Sequence, residues 1–275
     1  MDSNRGVPAL ELGSKVEVTR EEVNGGTIVH VKFDQPETRN SLTLEMGLSF
    51  HRVMHALAGE HPLPRACILS GKNGVFSSGG DFQLLKGFAE KTPKENTEFM
   101  QSFYRLFLTV RHMPFPVLAA VNGHAIGAAL AITLACDLRY FVPDAKYSLN
   151  FVRIGIHPGM GSSFLLKQIA GMMRAQELIL TGRYFSGTEA EQMGICHGTF
   201  PADTIVEKVT EIAREIALGA PRAVRLAKRS LYEATDIENA IQLESHFQAE
   251  TYQTQDFREA LKAIEEKRTP TFKDE

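Results

Sequence analysis

Two glycine-rich segments of this 275-residue chain have the residue types that could bind a negatively charged oxygen. The first is VFSSGGDF at residues 75–82, and the second is NGHAIGAA at residues 122–129. Gly79 and Gly80 lack side chains, so the backbone there can approach a ligand closely and direct N–H groups at it. A glycine pair also marks ordinary turns, and that interpretation applies to the first segment when it is taken alone.

The second segment lies between a predicted strand and a predicted helix. The apolar run at 117–121 predicts a buried strand, and residues 128–135 predict a helix that begins within the segment. The first N–H groups of a helix have no partner inside it, and the helix dipole favours a negative oxygen there. The small residues at 125 and 127–129 leave room for such a ligand, although they equally suit tight packing of a helix on a strand.

The elements that position these segments alternate between strand and helix over residues 60–150, which predicts an α/β core with crossover connections. Residues 16–20 and 27–33 predict a hairpin around Asn24-Gly25-Gly26. Further strands are predicted at 66–70 and 138–141. Helices are predicted from Leu44 to Gly59 and around residues 99–110, before Pro114 and Pro116.

After residue 160 the strand signals fade and the pattern becomes helical. Ser186 and Glu189 form a predicted capping box, and several segments after residue 203, among them 223–234 and 256–267, are amphipathic. We therefore expect a loose N-terminal arm at 1–14, a core at 15–200 and a helical region at 201–275. The helical region needs an apolar surface to pack on, either its own core or another subunit.

Five motifs of this chain resemble motifs of the enoyl-CoA hydratase/isomerase (crotonase) superfamily, and they follow one another in the same order. Besides the two glycine-rich segments, they are DQPETRNSL at 34–42, the LTGR…EA…G stretch at 180–194 and DFREALKAIEEKRTPTF at 256–272. The match covers about residues 15–272. It implies an α/β fold of the ClpP/crotonase type, which is a spiral of ββα units with a helical C-terminal region that builds trimers, often paired into hexamers.

In that superfamily, one backbone N–H from each glycine-rich segment forms an oxyanion hole for the thioester carbonyl of an acyl-CoA. The resemblance implies Ser78 and Ala128 as these two catalytic donors. It implies an acyl-CoA as the partner, with coenzyme A as part of the substrate and with no separate cofactor or metal. Further substrate contacts are implied at Arg39, Ser41, Gly79, Gly80, Asp81, Phe82, Gly127, Phe151 and His157.

Two positions that hold glutamates in the hydratases of the superfamily hold Ala131 and Phe151 here. Those carboxylates usually hold water and deliver a proton, which neither alanine nor phenylalanine can do. Isomerases of the superfamily sometimes keep an acid eight residues later, where this chain has Gly159. We therefore expect ordinary hydratase activity to be weak.

Other polar side chains are candidates for proton transfer or for orienting a ligand. Histidine suits proton transfer near neutral pH, and His157 is expected beside the cavity, whereas the place of His124 usually faces away from it. Asn150 and Ser148 could orient a ligand but are not bases. We expect Asp81 to cap the helix that follows it rather than to act as an acid or base.

Three functions remain open from the sequence. The first is an enzyme that stabilises an enolate in the oxyanion hole and uses a non-standard proton donor. Among the reactions of this kind, decarboxylation of a carboxyacyl-CoA needs the fewest catalytic groups. The second is an ordinary hydratase or isomerase whose acid comes from another position. The third is a catalytically poor acyl-CoA-binding paralogue. No Ser/His/Asp order suggests a peptidase.

Bulk composition limits the classes of partner and the cellular compartments that we expect for this chain. The net charge is −3 and the lysines and arginines are dispersed, so we expect no nucleic acid. No apolar run reaches about 18 residues, so we expect no membrane span. Cys67, Cys136 and Cys196 lack metal-type spacing and predict buried free thiols in a reducing compartment. A cytoplasmic homotrimer or homohexamer is the resulting expectation.

Overall fold

The structure is a computed structural model that describes residues 15–23 and 25–275. The predicted arm at 1–14 and Asn24 of the predicted hairpin turn lie outside the described residues. Within these residues the strands are β1 (Val16–Val23), β2 (Gly26–Phe33), β3 (Ala66–Gly71), β4 (Val117–Val121), β5 (Ala125–Ile126), β6 (Leu138–Phe141) and β7 (Tyr147–Ser148). The strands expected from the sequence are therefore confirmed, and β5 and β7 are additional.

The main sheet contains five strands in the order β1-β2-β3-β4-β6. β1 and β2 form the expected antiparallel hairpin, whereas β2, β3, β4 and β6 pair in parallel. Every residue of β3 and β4 is buried, as is typical of parallel strands covered on both faces. The predicted α/β core with crossover connections is confirmed.

Short extended segments that follow strands of the main sheet in the sequence pair with one another and form a second, smaller layer. β5 and β7 pair in parallel, and isolated parallel bridges join Leu42 to Gly80 and Ser77 to Ala125. The chain thus contributes alternately to the main sheet and to this layer, with helices between successive turns. This is the expected spiral of ββα units, and it brings the loop ends of successive turns together.

Ten helices occur among the described residues, and the expected ones are confirmed. They are α1 (Leu44–Ala58), α2 (Phe82–Phe88), α3 (Pro93–Leu108), α4 (Ala128–Ala135), α5 (Ser162–Thr181), α6 (Gly187–Gln192), α7 (Ile205–Ala217), α8 (Pro221–Glu233), α9 (Ile237–Thr251) and α10 (Gln255–Glu266). The predicted capping box of α6 is present at Ser186 and Glu189. Along the described part of the chain, no helix combines the length and the apolar character that crossing a membrane requires.

The helix α5 was not expected from the sequence. It is interrupted at Gly171, whose φ of 75° and ψ of 170° are not helical. Its apolar side chains also face in several directions, because Leu165 and Leu178 are buried whereas Met173 and Leu180 are strongly exposed. A helix with a break and without a single apolar face gives no clear periodicity in the sequence.

Two apolar clusters cover the two faces of the main sheet. The first apolar cluster is formed largely by side chains of β2, α1, α3 and α4, among them Phe33, Phe50, Phe107, Ala131 and Phe151. The second places Ile205, Val209 and Ala213 of α7 against Ile28, Ile68 and Leu118 of the sheet. The helical region therefore begins by packing on its own core. Whether the boundary at residue 200 separates a folding unit, and whether the region trimerises, stay predictions.

The three cysteines are buried and free, as the sequence predicted. Burial raises the pKa of Cys136 to about 12 and that of Cys196 to about 11. Burial also raises the pKa of Cys67, which is fully enclosed. Thiols with pKa values this high remain protonated near neutral pH, so none of them is an activated nucleophile.

Candidate active site

Asn40 fastens the segment before α1 to the first glycine-rich segment. Its buried side chain accepts a hydrogen bond from the N–H of Gln35 at 2.8 Å and donates one to the carbonyl of Val75 at 2.6 Å. The hydroxyl of Ser77 donates to the Asn40 carbonyl at 2.6 Å. Asn40 and its neighbour Arg39 both have a positive φ, of 53° and 54°, which turns the chain towards the glycine-rich segment.

The two glycine-rich segments lie directly against each other. The N–H of Ser77 donates to the carbonyl of His124 at 3.2 Å. Gly79 has a φ of 92°, and a Cβ atom at this residue would overlap the carbonyl oxygen of Ile126 and lie 4.0 Å from the nitrogen of Ala128. Only glycine satisfies both the conformation and the close approach. The sequence expectation that these segments form one site is consistent with this contact.

The N–H of Ser78 is not available to a ligand, and its implied role as an oxyanion donor is wrong. It donates to the carbonyl of Arg39 at 2.9 Å, on the side of the segment that faces residues 35–42. Along extended backbone, successive N–H groups point to opposite sides. The residue that directs its N–H towards α4 must therefore be another one in the same segment.

Gly80 has the required orientation. The carbonyl of Gly79 accepts from the N–H of Leu42 at 2.8 Å, and the N–H of Asp81 donates to the carbonyl of Leu42 at 3.4 Å. Since both flanking groups point to Leu42, the N–H of Gly80 points to the opposite side, where residues 126–128 lie. Gly80 is exposed, and among the residues described by the structure none accepts a hydrogen bond from this N–H.

Ala128 is the first residue of α4, as the sequence predicted. Gly127 precedes it with a φ of 57° and a ψ of −119°, and no side chain caps the helix. Gly127 donates its own N–H to the carbonyl of Ser148 at 2.7 Å, which fixes the turn. Within the described chain no acceptor is bonded to the N–H of Ala128. This N–H and that of Gly80 are thus two donors without an acceptor on adjoining segments, and the Ala128 N–H lies at the positive end of a helix.

The positions of the two absent glutamates are apolar in the folded chain. Ala131 is fully buried and Phe151 is 8% exposed, and both belong to the first apolar cluster. A Cβ atom on Gly127 would lie 3.8 Å from the ring of Phe151 and 3.3 Å from Oδ1 of Asn150. Phe151 therefore lies beside the start of α4.

Each of the two histidine candidates forms a hydrogen bond with a backbone group other than the two donors. The exposed ring of His157 donates from Nδ1 to the carbonyl of Pro158 at 2.7 Å. The exposed ring of His124 accepts at Nδ1 from the N–H of Lys146 at 2.8 Å. Both rings thus have structural partners in the backbone, and a role of His157 in substrate binding stays a prediction.

Asp81 caps α2, which confirms the structural role expected for it. Its Oδ1 accepts from the N–H groups of Gln83 and Leu84 at 3.0 Å and 2.9 Å, and its Oδ2 lies 3.4 Å from the hydroxyl of Ser41. The next residue, Phe82, is 65% exposed. Arg39 is also exposed, so both side chains are accessible to a ligand, and their implied substrate contacts stay predictions.

Sequence reasoning missed two features of the site. The first is the donor role of Gly80, which was expected only as a substrate contact and which the alternation of N–H groups in an extended segment could have suggested. The second is Tyr104, because a Cβ atom on Gly159 would overlap the Tyr104 hydroxyl and lie 2.9 Å from its Cζ. Nothing in the sequence relates these two residues, since they lie in α3 and in the loop before α5.

A model of the enoyl-CoA hydratase/isomerase family matches residues 23–275 of the chain. The chain is 32% identical over 255 residues to the enoyl-CoA isomerase/hydratase fer4 of Mycosarcoma maydis, covering 89% of this chain and 92% of that protein. It is 30% identical over 261 residues to the mitochondrial methylglutaconyl-CoA hydratase of Homo sapiens, covering 93% and 76%. A crystal structure of enoyl-CoA hydratase from Bacillus anthracis superposes with a TM-score of 0.87 at 31% identity, covering 95% and 100%.

Proposed function

The chain belongs to the enoyl-CoA hydratase/isomerase family, and from this premise we propose that it binds an acyl-CoA thioester and stabilises its enolate. The donors are the backbone N–H groups of Gly80 and Ala128. The observation that supports this function is that neither N–H has an acceptor within the described residues, while Gly79 packs against residues 126–128 at the N-terminus of α4. Gly80 replaces Ser78, whose N–H is already bonded to Arg39.

The two N–H groups act on the charge that develops during the reaction. When a thioester becomes an enolate, its carbonyl oxygen gains negative charge and accepts stronger hydrogen bonds. Donors held by the backbone need no reorganisation at that moment, and removal of one such donor typically lowers the rate by about 10²–10³-fold. The dipole of α4 favours the same negative oxygen.

A second candidate reaction is decarboxylation of a carboxyacyl-CoA, and the apolar surroundings of Ala131 and Phe151 favour it. The bond between Cα and the carboxylate breaks, CO₂ leaves, and the electron pair forms the enolate that the two N–H groups stabilise. A proton from water or from a weak acid then reaches Cα. This reaction forms an enolate without a protein base, whereas hydration requires a group that activates water.

Ala128→Pro tests the oxyanion hole. Proline is tolerated at the first position of a helix, so the variant removes one N–H with little effect on α4. We expect the affinity for acetoacetyl-CoA, which readily forms an enolate, to fall by about 3 kcal/mol. Isothermal titration calorimetry measures the affinity, and Ala128→Gly, which keeps the N–H, is the matched control.

Each outcome of this titration has a distinct meaning. Loss of affinity in Ala128→Pro but not in Ala128→Gly supports the hole, and equal affinities in the two folded variants contradict it. Binding of acyl-CoA without turnover of any enoyl-, hydroxyacyl- or carboxyacyl-CoA would identify the catalytically poor binding paralogue.

The cytoplasm is the proposed location. The three buried free thiols support a reducing compartment. The names of some relatives place those proteins in mitochondria, as for the human methylglutaconyl-CoA hydratase. Fractionation of cells that express the tagged full chain distinguishes the two compartments.

A further inference from the structure

The hydroxyl of Tyr104 lies over Gly159 and occupies the space that a side chain there would need. Gly159 is buried, and a Cβ atom on it would overlap the phenol oxygen and lie 2.9 Å from Cζ and 3.5 Å from Cε1 of the ring. Gly159 does not have a positive φ, so the backbone conformation itself does not require glycine. The tyrosine therefore leaves no room for a side chain at this residue.

The Tyr104 hydroxyl can donate its proton in a hydrogen bond to a ligand. The backbone of Met160 lies close to the phenol oxygen and partly opposes the effect of burial on the Tyr104 pKa. In the described part of the chain, no hydrogen bond is recorded in which Tyr104 donates its own proton. Burial raises the pKa of Tyr104, so the group is a neutral phenol near neutral pH and can act as a donor but not as a base.

Tyr104 belongs to a helix that packs beside α4, the helix at the candidate active site. It is partly buried and packs on the first apolar cluster, as Ala128 also does, and its helix α3 contacts α4. Gly159 follows the short helix that holds Phe151 against Gly127, and the N–H of Ile156 bonds back to the carbonyl of Phe151 at 3.1 Å. Phe151 and Gly159 thus belong to one folded-back segment, and the Tyr104 phenol of α3 contacts this segment at Gly159.

We propose that the Tyr104 hydroxyl donates a hydrogen bond to an oxygen on the acyl chain, beyond the thioester carbonyl, and so selects oxygenated acyl-CoA substrates. The substrate class is a 3-oxoacyl or 3-hydroxyacyl thioester, or one with a carboxylate on C2. This inference rests on the proposed function, because it assumes that an acyl-CoA thioester occupies the site.

Discrimination follows from the cost of an unpaired donor. In the free protein, water can reach a half-buried hydroxyl and accept its proton. A bound hydrocarbon chain displaces that water and offers no acceptor, whereas an oxygenated chain replaces the lost bond. A buried donor left without a partner is unfavourable enough for about a tenfold difference in affinity or more between two such ligands.

The test compares three thioesters whose acyl groups all contain four carbon atoms: butyryl-CoA, acetoacetyl-CoA and methylmalonyl-CoA. Their dissociation constants are measured by calorimetry with the full chain and with Tyr104→Phe. We expect the substitution to weaken at least one oxygenated ligand about tenfold and to leave butyryl-CoA unchanged or bound slightly more tightly. A purely structural role of the hydroxyl would change all three affinities together.

Tyr140→Phe is the control, because Tyr140 is a buried tyrosine that packs in the second apolar cluster, with α7, away from Gly159. It should change none of the three affinities. Gly159→Ala is a second variant, which keeps the hydroxyl but forces it out of its place. It should reproduce the loss seen in Tyr104→Phe.

The outcomes separate this inference from the proposed function. If the unmodified chain fails to bind butyryl-CoA and the oxygenated ligands alike, the proposed function is wrong and the inference falls with it. If the chain binds them and Tyr104→Phe and Gly159→Ala leave all relative affinities unchanged, acyl-CoA binding stands and the role of Tyr104 is refuted.

Discussion

Ala131 and Phe151 limit the reactions available to this site at the level of single residues. Ala131 is fully buried on α4, three residues after the proposed donor Ala128, and Phe151 lies beside the start of that helix. Neither can accept or donate a proton. A site with two oxyanion donors and an apolar wall can stabilise an enolate but lacks the usual means of activating water.

We expect the chain to hydrate crotonyl-CoA at least about 100-fold more slowly than a relative with both glutamates, because a general acid or base typically contributes about 10²–10⁴-fold. Loss of the enoyl-thioester absorbance measures the rate. A rate comparable with that of ordinary hydratases would show that an acid from another position acts, and His157→Ala would then be the first variant to examine.

Introducing carboxylates at both positions should raise hydration. The variant Ala131→Glu/Phe151→Glu is expected to gain activity, and Ala131→Gln/Phe151→Gln, with side chains of the same size that transfer no proton, is the control. Because Ala131 is fully buried, a charged side chain there also destabilises the fold. Urea unfolding of both variants must precede the assay, and equal rates in two folded variants would oppose the idea.

At the level of elements, α2 depends on Asp81 for its position. No residue of α2 is buried, so packing contributes little, and the carboxylate accepts hydrogen bonds from two N–H groups at its start. A helix of this kind is stabilised mainly at its cap. Its first residue, Phe82, is exposed next to Gly80, so the cap also orders the edge of the proposed hole.

Asp81→Ser should preserve the site, whereas Asp81→Ala should loosen it. Serine keeps an N-cap acceptor, and its replacement by alanine typically costs about 1 kcal/mol of helix stability. Hydrogen exchange of the α2 amides should therefore accelerate only in Asp81→Ala, and the affinity for butyryl-CoA should follow the same order. If Asp81→Ser lost binding or turnover as fully as Asp81→Ala, the carboxylate itself would have a chemical role.

At the level of the whole molecule, an ion pair between a buried lysine and a partly buried aspartate attaches the C-terminal helices to the core. Lys228 of α8 donates to Asp137 at 2.7 Å and to the carbonyl of Phe115 at 2.9 Å. Asp137 also accepts from the N–H of Val117 at 2.7 Å and from the hydroxyl of Tyr232 at 2.8 Å. Both oxygens of this partly buried carboxylate are thus hydrogen-bonded, which joins β4 to α8.

Lys228→Met should lower the free energy of unfolding by about 3 kcal/mol, because it leaves the partly buried Asp137 charge without its cation. Adding Asp137→Asn should recover part of the loss, since the uncharged amide still accepts from Val117. Urea denaturation of both variants measures the effect. Equal stabilities of Lys228→Met and the unmodified chain would show that the pair contributes nothing to this attachment.

We expect the intact chain to sediment as a trimer or a hexamer, with three or six times the monomer mass of 30.5 kDa. Large apolar side chains are strongly exposed on α5 and on the C-terminal helices, including Met173, Leu180, Leu231, Ile237 and Ile264. Apolar surface of this extent is typical of contacts between subunits. Sedimentation equilibrium measures the mass, and a monomer at micromolar concentration would refute the assembly.

The sequence by itself determined much of the fold and the chemical limits of the site. The hairpin, the parallel strands, the cap at Asp81 and the start of α4 at Ala128 are encoded by local patterns, because turn residues, apolar runs and capping side chains act on their neighbours. The absence of acids at 131 and 151 is also a property of residue type, so it needed no coordinates once the motifs were aligned.

Only the tertiary structure decided which groups face the site. Ser78 and Gly80 are both in the same short motif, and the contacts with Arg39 and Leu42, from an earlier part of the chain, determine which N–H is free. Tyr104 and Gly159 are far apart in sequence and meet only because α3 packs beside the loop before α5. The direction of a backbone donor and the occupant of a cavity depend on such distant contacts, which no local pattern encodes.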